Sequence, residues 1–181
     1  MTHALSTTDK LVHLRSLPAF RLVALEDLRA LAERCQEQAF RGGERMFTEG
    51  EIGSSLFIIQ RGTVLIAQGT GKRMVEIARL GPGAYFGELA IFDGGPRTAT
   101  AAATEAGATL LVLDRKTFIQ FGEKNPKVLL EVIRGLTRSI RRLGDELRVL
   151  KVPSSQPGAS IAAVDDEDIS DGELVPRSRR L

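Results

Sequence analysis

Tryptophan is absent from this chain, cysteine occurs once, histidine twice, and the aromatic residues are eight Phe and one Tyr. A single cysteine, Cys35, excludes an intramolecular disulfide and any cysteine-rich zinc site, and is expected as a small core residue on a helix. His3 and His13 both precede the glycine-rich middle of the chain. Two such histidines are too few to converge with acids in a cupin-type metal centre. No paired nucleophile and base is visible, so no enzyme is expected. No apolar run approaches 18 residues, and Asp9 and Lys10 fall where a secretory signal would be apolar, so neither a membrane span nor a signal peptide is expected. A cytoplasmic protein is the simplest expectation. A net charge of +2 gives no global field for nucleic acid. What is present is an ordinary globular share of hydrophobic residues, 43% of 181, enough for one domain with a core and extensions.

The apolar pattern changes period along the chain. A short helix is expected over residues 7–15, with Leu11 and Leu14 on one face, interrupted by Pro18. Leu25, Leu28, Leu31 and Ala32 predict a stronger helix over 25–37. From residue 38 to 113, short apolar runs recur between glycine and proline signals. The expected strands are 45–48, 55–60, 63–68, 74–80, 84–86, 99–103 and 108–113, with a hairpin turn at 68–72. The fold class is therefore mainly β with flanking α: an antiparallel β-roll, jelly-roll-like, with helices before and after it. A short helix is expected over 117–123, capped by Asp114, and a long one from Pro126 to about 151, capped by Asn125.

The stretch from Phe86 to Thr100, FGELAIFDGGPRTAT, carries the chemistry. Gly87 lets backbone approach a ligand closely. Glu88 opens a helical turn over 88–91, whose free N–H groups favour an anion. The loop Asp93-Gly94-Gly95-Pro96 delivers Arg97, whose planar fork suits two phosphate oxygens. Thr98, Ala99 and Thr100 are small enough to let a ligand lie on the backbone. The plain alternative is a surface Glu88–Arg97 salt bridge flanked by turn glycines.

This segment resembles the phosphate-binding cassette of cyclic nucleotide-binding domains at Phe86, Gly87, Glu88, Ala90, Pro96, Arg97, Thr98, Ala99 and Thr100. The likeness extends to the helices from about Leu17 and to the Phe57-Ile58-Ile59 strand followed by Gly62. It implies that Arg97 holds a cyclic phosphate and Glu88 a ribose 2′-hydroxyl. It also implies that N–H groups near Gly87, Leu89 and Ala99 complete the cradle. The implied ligand is cyclic AMP, with cyclic GMP second; a threonine at 98 is associated in the family with tolerance of guanine without deciding it. A regulatory ligand is expected and no cofactor. The rival reading is a dimerising roll whose pocket is empty.

Leu129, Ile133, Leu136, Ile140, Leu143, Leu147 and Leu150 alternate steps of four and three, a heptad seam. Gly135 and Gly144 weaken such a helix, by up to about 1 kcal/mol each relative to Ala. The seam must therefore pack on something: a second copy of the chain, giving a homodimer, or the sheet, as a lid. Seven Lys or Arg against three Asp or Glu over 127–151 read as a solvated outer face. After residue 153 the chain turns acidic and lacks aromatics, which predicts a disordered tail. The residues after 151 are too few and polar for the helix-turn-helix that many regulators of this family carry, so DNA binding of that kind is not expected. The organisation expected is an N-terminal helical extension (1–16), the roll with its flanking helices (17–124), the long helix (125–152) and the tail (153–181). A receptor so built would act through a downstream protein that the sequence does not identify.

Overall fold

A computed structural model describes residues 5–69 and 71–151; the acidic tail and His3 lie outside the described residues. The chain divides into two compact units, residues 1–140 and 141–181, and all six strands lie in the first.

Helix α1 (Thr7–Ser16) begins with a reciprocal cap: Asp9 N–H donates to the Ser6 hydroxyl and Ser6 N–H to the Asp9 carboxylate. A 3₁₀ turn, Pro18–Phe20, leads to α2 (Leu25–Arg34), which buries Leu28, Leu31 and Ala32. This helix ends three residues before the sequence pattern predicts. Cys35 is the capping residue just beyond it, in extended conformation, and Gln36 already belongs to strand β1 (Gln36–Phe40). Gln-Glu-Gln carries no apolar alternation and so predicts no strand; pairing with a later strand imposes it. Cys35 is buried, and burial pushes its thiol up to about 12, so it is a core group and not a nucleophile.

Strand β2 (Arg45–Phe47) is followed by β3 (Ser55–Gln68), β4 (Val75–Leu80) and β5 (Tyr85–Phe86). After α3 (Glu88–Asp93) come β6 (Thr100–Asp114), α4 (Arg115–Lys124) and α5 (Pro126–Lys151). All pairings are antiparallel, in the order β1-β6-β3-β4, with β2 added to β6 and β5 to β3. Where the sequence punctuation predicts four short strands, two long ones run through. Gly62 marks a register shift inside β3, not its end, and faces Ala108 beside Gly107 on β6. Both glycines have positive φ, 81° and 74°, and a side chain on Gly62 would strike the Gly107 carbonyl.

The apolar runs of these long strands are explained by burial on both faces. Leu56 and Ile58, with Leu111 and Leu113, join the helices in one core around Leu14, Phe20, Leu28, Phe118 and Val128. Phe57 and Ile59, with Leu110 and Val112, point into the roll beside Val64 and Phe86. Asp114 caps α4 as expected, accepting from Thr117 N–H at 2.9 Å. Asn125 does not cap α5 through its side chain: its amide donates back to the Phe121 carbonyl, closing α4 instead. The seam of α5 is also divided. Leu129 and Leu136 pack on the core, but Val128 and Val132 are its fully buried anchors, while Ile133, Ile140, Leu143 and Leu147 are exposed.

Candidate functional site

Arg97 is delivered by backbone pairing before its side chain is considered. Its N–H donates to the Glu51 carbonyl and its carbonyl accepts from Gly50 N–H, both at 2.8 Å, and Pro96 bridges to Ile52. The side chain then runs inward and only 5% of the residue is exposed. Nη1 donates to the Gly87 carbonyl at 2.9 Å and Nη2 to the Ser55 carbonyl at 2.8 Å. The guanidinium carbon lies 4.1 Å from the centre of the Phe47 ring and 5.6 Å from that of Phe57. Gly53 closes over it: any side-chain carbon there would sit under 3.0 Å from Nε, Cζ and Nη2.

The charge is incompletely answered. Nε is buried without a hydrogen-bond partner, and none of the ion pairs among the described residues includes Arg97. Burial lowers its pKa, opposed by the more distant charges of Glu51 and Glu88. The surface Glu88–Arg97 salt bridge is therefore not formed. Glu88 is partly buried, and burial raises its carboxyl above the usual carboxylate value, with Arg97 working the other way. Cation and carboxyl flank the same short helix without neutralising each other.

The remaining cassette residues differ in burial and contacts. Phe86 stacks on Phe57, 5.2 Å between ring centres and 8° between planes, with Phe47 tilted across both. Gly87 caps α3 with φ 83°, a conformation glycine adopts without strain; a side chain there would also crowd Arg97 Nη1. Ala90 is buried, Leu89 and Pro96 are exposed, Thr98 is exposed and Ala99 half-buried. The Thr98 carbonyl accepts from Gln68 Nε2 at 2.8 Å, and the Thr100 hydroxyl accepts from Glu49 N–H at 3.0 Å. The structure thus gathers Phe86, Gly87, Glu88, Ala90, Arg97 and their neighbours around one end of the roll. It adds Phe47, Glu51, Gly53, Ser55, Phe57 and Gln68, which the motif does not contain. Phe57 lies in the strand that the resemblance already includes; for the others the only sequence signal is the glycine pair Gly50 and Gly53, which reads as turn punctuation. Among the described residues no three His, Cys, Asp or Glu side chains are grouped to hold a metal, and no helix is long and apolar enough to cross a membrane.

Beside α3 the roll therefore holds a buried guanidinium with an unpartnered Nε, a separate carboxyl and glycine backbone in contact with it. The family model for the cyclic nucleotide-binding domain matches residues 37–125, spanning all six strands but the first residue of β1. A CRP-like cAMP-activated global transcriptional regulator of Mycobacterium tuberculosis is 35% identical over 134 residues, which is 71% of this chain and 57% of the regulator. The regulatory subunit of the type II cAMP-dependent protein kinase of Drosophila melanogaster is 33% identical over 105 residues, 58% of this chain and 28% of the subunit. The crystal structure of the N-terminal domain of a transcriptional regulator from Streptomyces coelicolor superposes with a TM-score of 0.57 at 30% identity, covering 74% of this chain and 93% of that one. This chain belongs to the cyclic nucleotide-binding domain family. It spans only part of the length of the two full-length relatives.

Proposed function

We propose that this chain is a non-catalytic receptor for a 3′,5′-cyclic mononucleotide, cyclic AMP before cyclic GMP. The observation that carries the reading is the buried Arg97 guanidinium with a free Nε and no carboxylate partner. A cation taken out of water without a counter-ion is costly, and a cyclic phosphodiester supplies the missing anion. Arg97 then grips the phosphate, Glu88 accepts from the ribose hydroxyl, and N–H groups at Gly87, Leu89 and Ala99 share the charge. The relatives' names, both of which mention cAMP, support the choice of base. Binding shifts an equilibrium of α5 by the difference in affinity between its positions, and the signal passes to a further protein. The exposed Ile133, Ile140, Leu143 and Leu147 support a homodimer through α5.

Calorimetry on wild type and Arg97→Ala tests the site. Loss of charge-assisted hydrogen bonds, each about 1.5–3 kcal/mol, weakens cyclic AMP binding by roughly tenfold to over a hundredfold. Equal affinities would remove Arg97 from the site. Competition between cyclic AMP and cyclic GMP on the wild type measures the base preference. A pull-down with and without cyclic AMP identifies the protein downstream.

A further inference from the structure

Gly135 stands in the interior of the 26-residue helix α5, where alanine would be the better helix former. Tyr85 gives it a reason. The tyrosine ring is partly buried and packs against the helical core. A methyl group on Gly135 would meet the Tyr85 hydroxyl oxygen well under 3.0 Å away, yet lie 3.6 Å from ring carbon Cζ, an ordinary contact. The oxygen alone needs the glycine. Gly135 is thus a socket for a single hydroxyl.

Tyr85 also borders the ligand site. Its neighbour Phe86 points the other way, stacked on Phe57 inside the roll. Two residues on, the Gly87 carbonyl holds Arg97 Nη1. One short segment therefore touches the guanidinium at one end and α5 at the other, with a stacked ring between. The charges around the hydroxyl come from both sides. Burial raises the phenol's pKa, Glu88 of the cassette and Glu131 of α5 add to that, and Arg138 of α5 opposes it.

We propose that Tyr85 is a positioning residue that couples occupancy of the Glu88–Arg97 site to the docking of α5, with Gly135 as its socket. The inference rests on the receptor reading above. An anion arriving at Arg97 competes with the Gly87 carbonyl for the guanidinium. The relaxation of Gly87 moves β5, and Tyr85 shifts in its socket.

Four versions of the 181-residue chain test this: wild type, Gly135→Ala, Tyr85→Phe and the double variant. Amide hydrogen exchange over residues 126–140 is followed with and without saturating cyclic AMP, and calorimetry reports binding. In ligand-free Gly135→Ala the methyl collides with the hydroxyl, and exchange speeds up by about tenfold or more although alanine favours the helix. The double variant has removed the oxygen, so the methyl faces the ring carbon and slow exchange returns. In wild type cyclic AMP alters exchange over 126–140; in Gly135→Ala that response is lost while binding persists, with Kd changed by about three- to tenfold. Unchanged ligand-free exchange in Gly135→Ala, or no rescue in the double variant, overturns the socket. Binding to all four with the same exchange response in each overturns the coupling and leaves the receptor reading standing. If cyclic AMP does not bind wild type, the receptor reading fails and the coupling falls with it, while the ligand-free comparison still reports on the socket.

Discussion

Arg97 is held by atoms that no local motif announces. Its partners are backbone carbonyls at Gly87 and Ser55, ten and 42 positions away, and its lid is the Cα of Gly53. The cassette side chains were legible in the sequence because their chemistry is written in residue type: a guanidinium, a carboxyl, glycine and proline in register. The second half of the site was not, because a carbonyl belongs to every residue and only the fold chooses which one is near. Gly53 makes the point testable. The nearest obstacle to a methyl at 53 is the end of a long side chain, so the protein answers Gly53→Ala by moving the guanidinium and not the backbone. Cyclic AMP affinity then falls about tenfold while Tm falls by only a few degrees. A variant with wild-type affinity would mean that Arg97 does not need its seat.

Glu88 yields a second prediction at this scale, and its sign follows from burial. Its carboxyl pKa is raised on folding above the ordinary 4.5. The folded state holds the proton more tightly there, so this group's stability contribution is full below 4.5 and is lost as pH rises through the folded pKa. Glu88→Gln cannot ionise. The Tm of Glu88→Gln relative to wild type should therefore climb from pH 4.5 upward and level off once the pH has passed the folded pKa, while cyclic AMP affinity drops for want of the carboxylate. A Tm difference independent of pH would show that Glu88 is not desolvated.

Elements were legible where one face is apolar and blurred where two are. The period-3.6 pattern marks α2, which buries Leu28, Leu31 and Ala32 along one stripe; the step pattern marks the extent of α5 but not its buried face, which is anchored by Val128 and Val132. β3 and β6 alternate between two cores, so their apolar runs carry no period, and the glycines within them read as ends when they are register shifts. α1 carries a titratable group at the edge of the core. His13 is half-buried with Nε2 unpartnered, and burial holds its pKa below 6.5, a backbone contact at Ile59 opposing. A depressed histidine gives stability that is present above 6.5 and is lost as pH falls through the folded pKa. Wild type should therefore lose stability below pH 6.5 relative to His13→Gln, with faster exchange in residues 7–16 by hydrogen exchange. Parallel pH profiles would place the imidazole in water.

At the scale of the molecule, the heptad pattern of α5 merges buried and exposed apolar side chains into one seam. Val128, Leu129, Val132 and Leu136 anchor it to the core, whereas Ile133, Ile140, Leu143 and Leu147 remain 53%, 69%, 46% and 54% exposed. A sequence shows that a seam exists; it does not show which of its side chains the core covers and which it leaves exposed. The exposed four are spaced by seven, three and four, which is the spacing a second identical helix accepts, and water is a poor alternative at about 25 cal/mol for each Å² of apolar surface left uncovered. Leu143→Glu sets a charge in that seam without touching Val128 or Val132. Sedimentation should give two copies of the 19.7 kDa chain for wild type and one for the variant, with the same rise in Tm on adding cyclic AMP. If both sediment as single chains, the stripe belongs to a different protein, and the downstream partner is then to be sought on α5 itself.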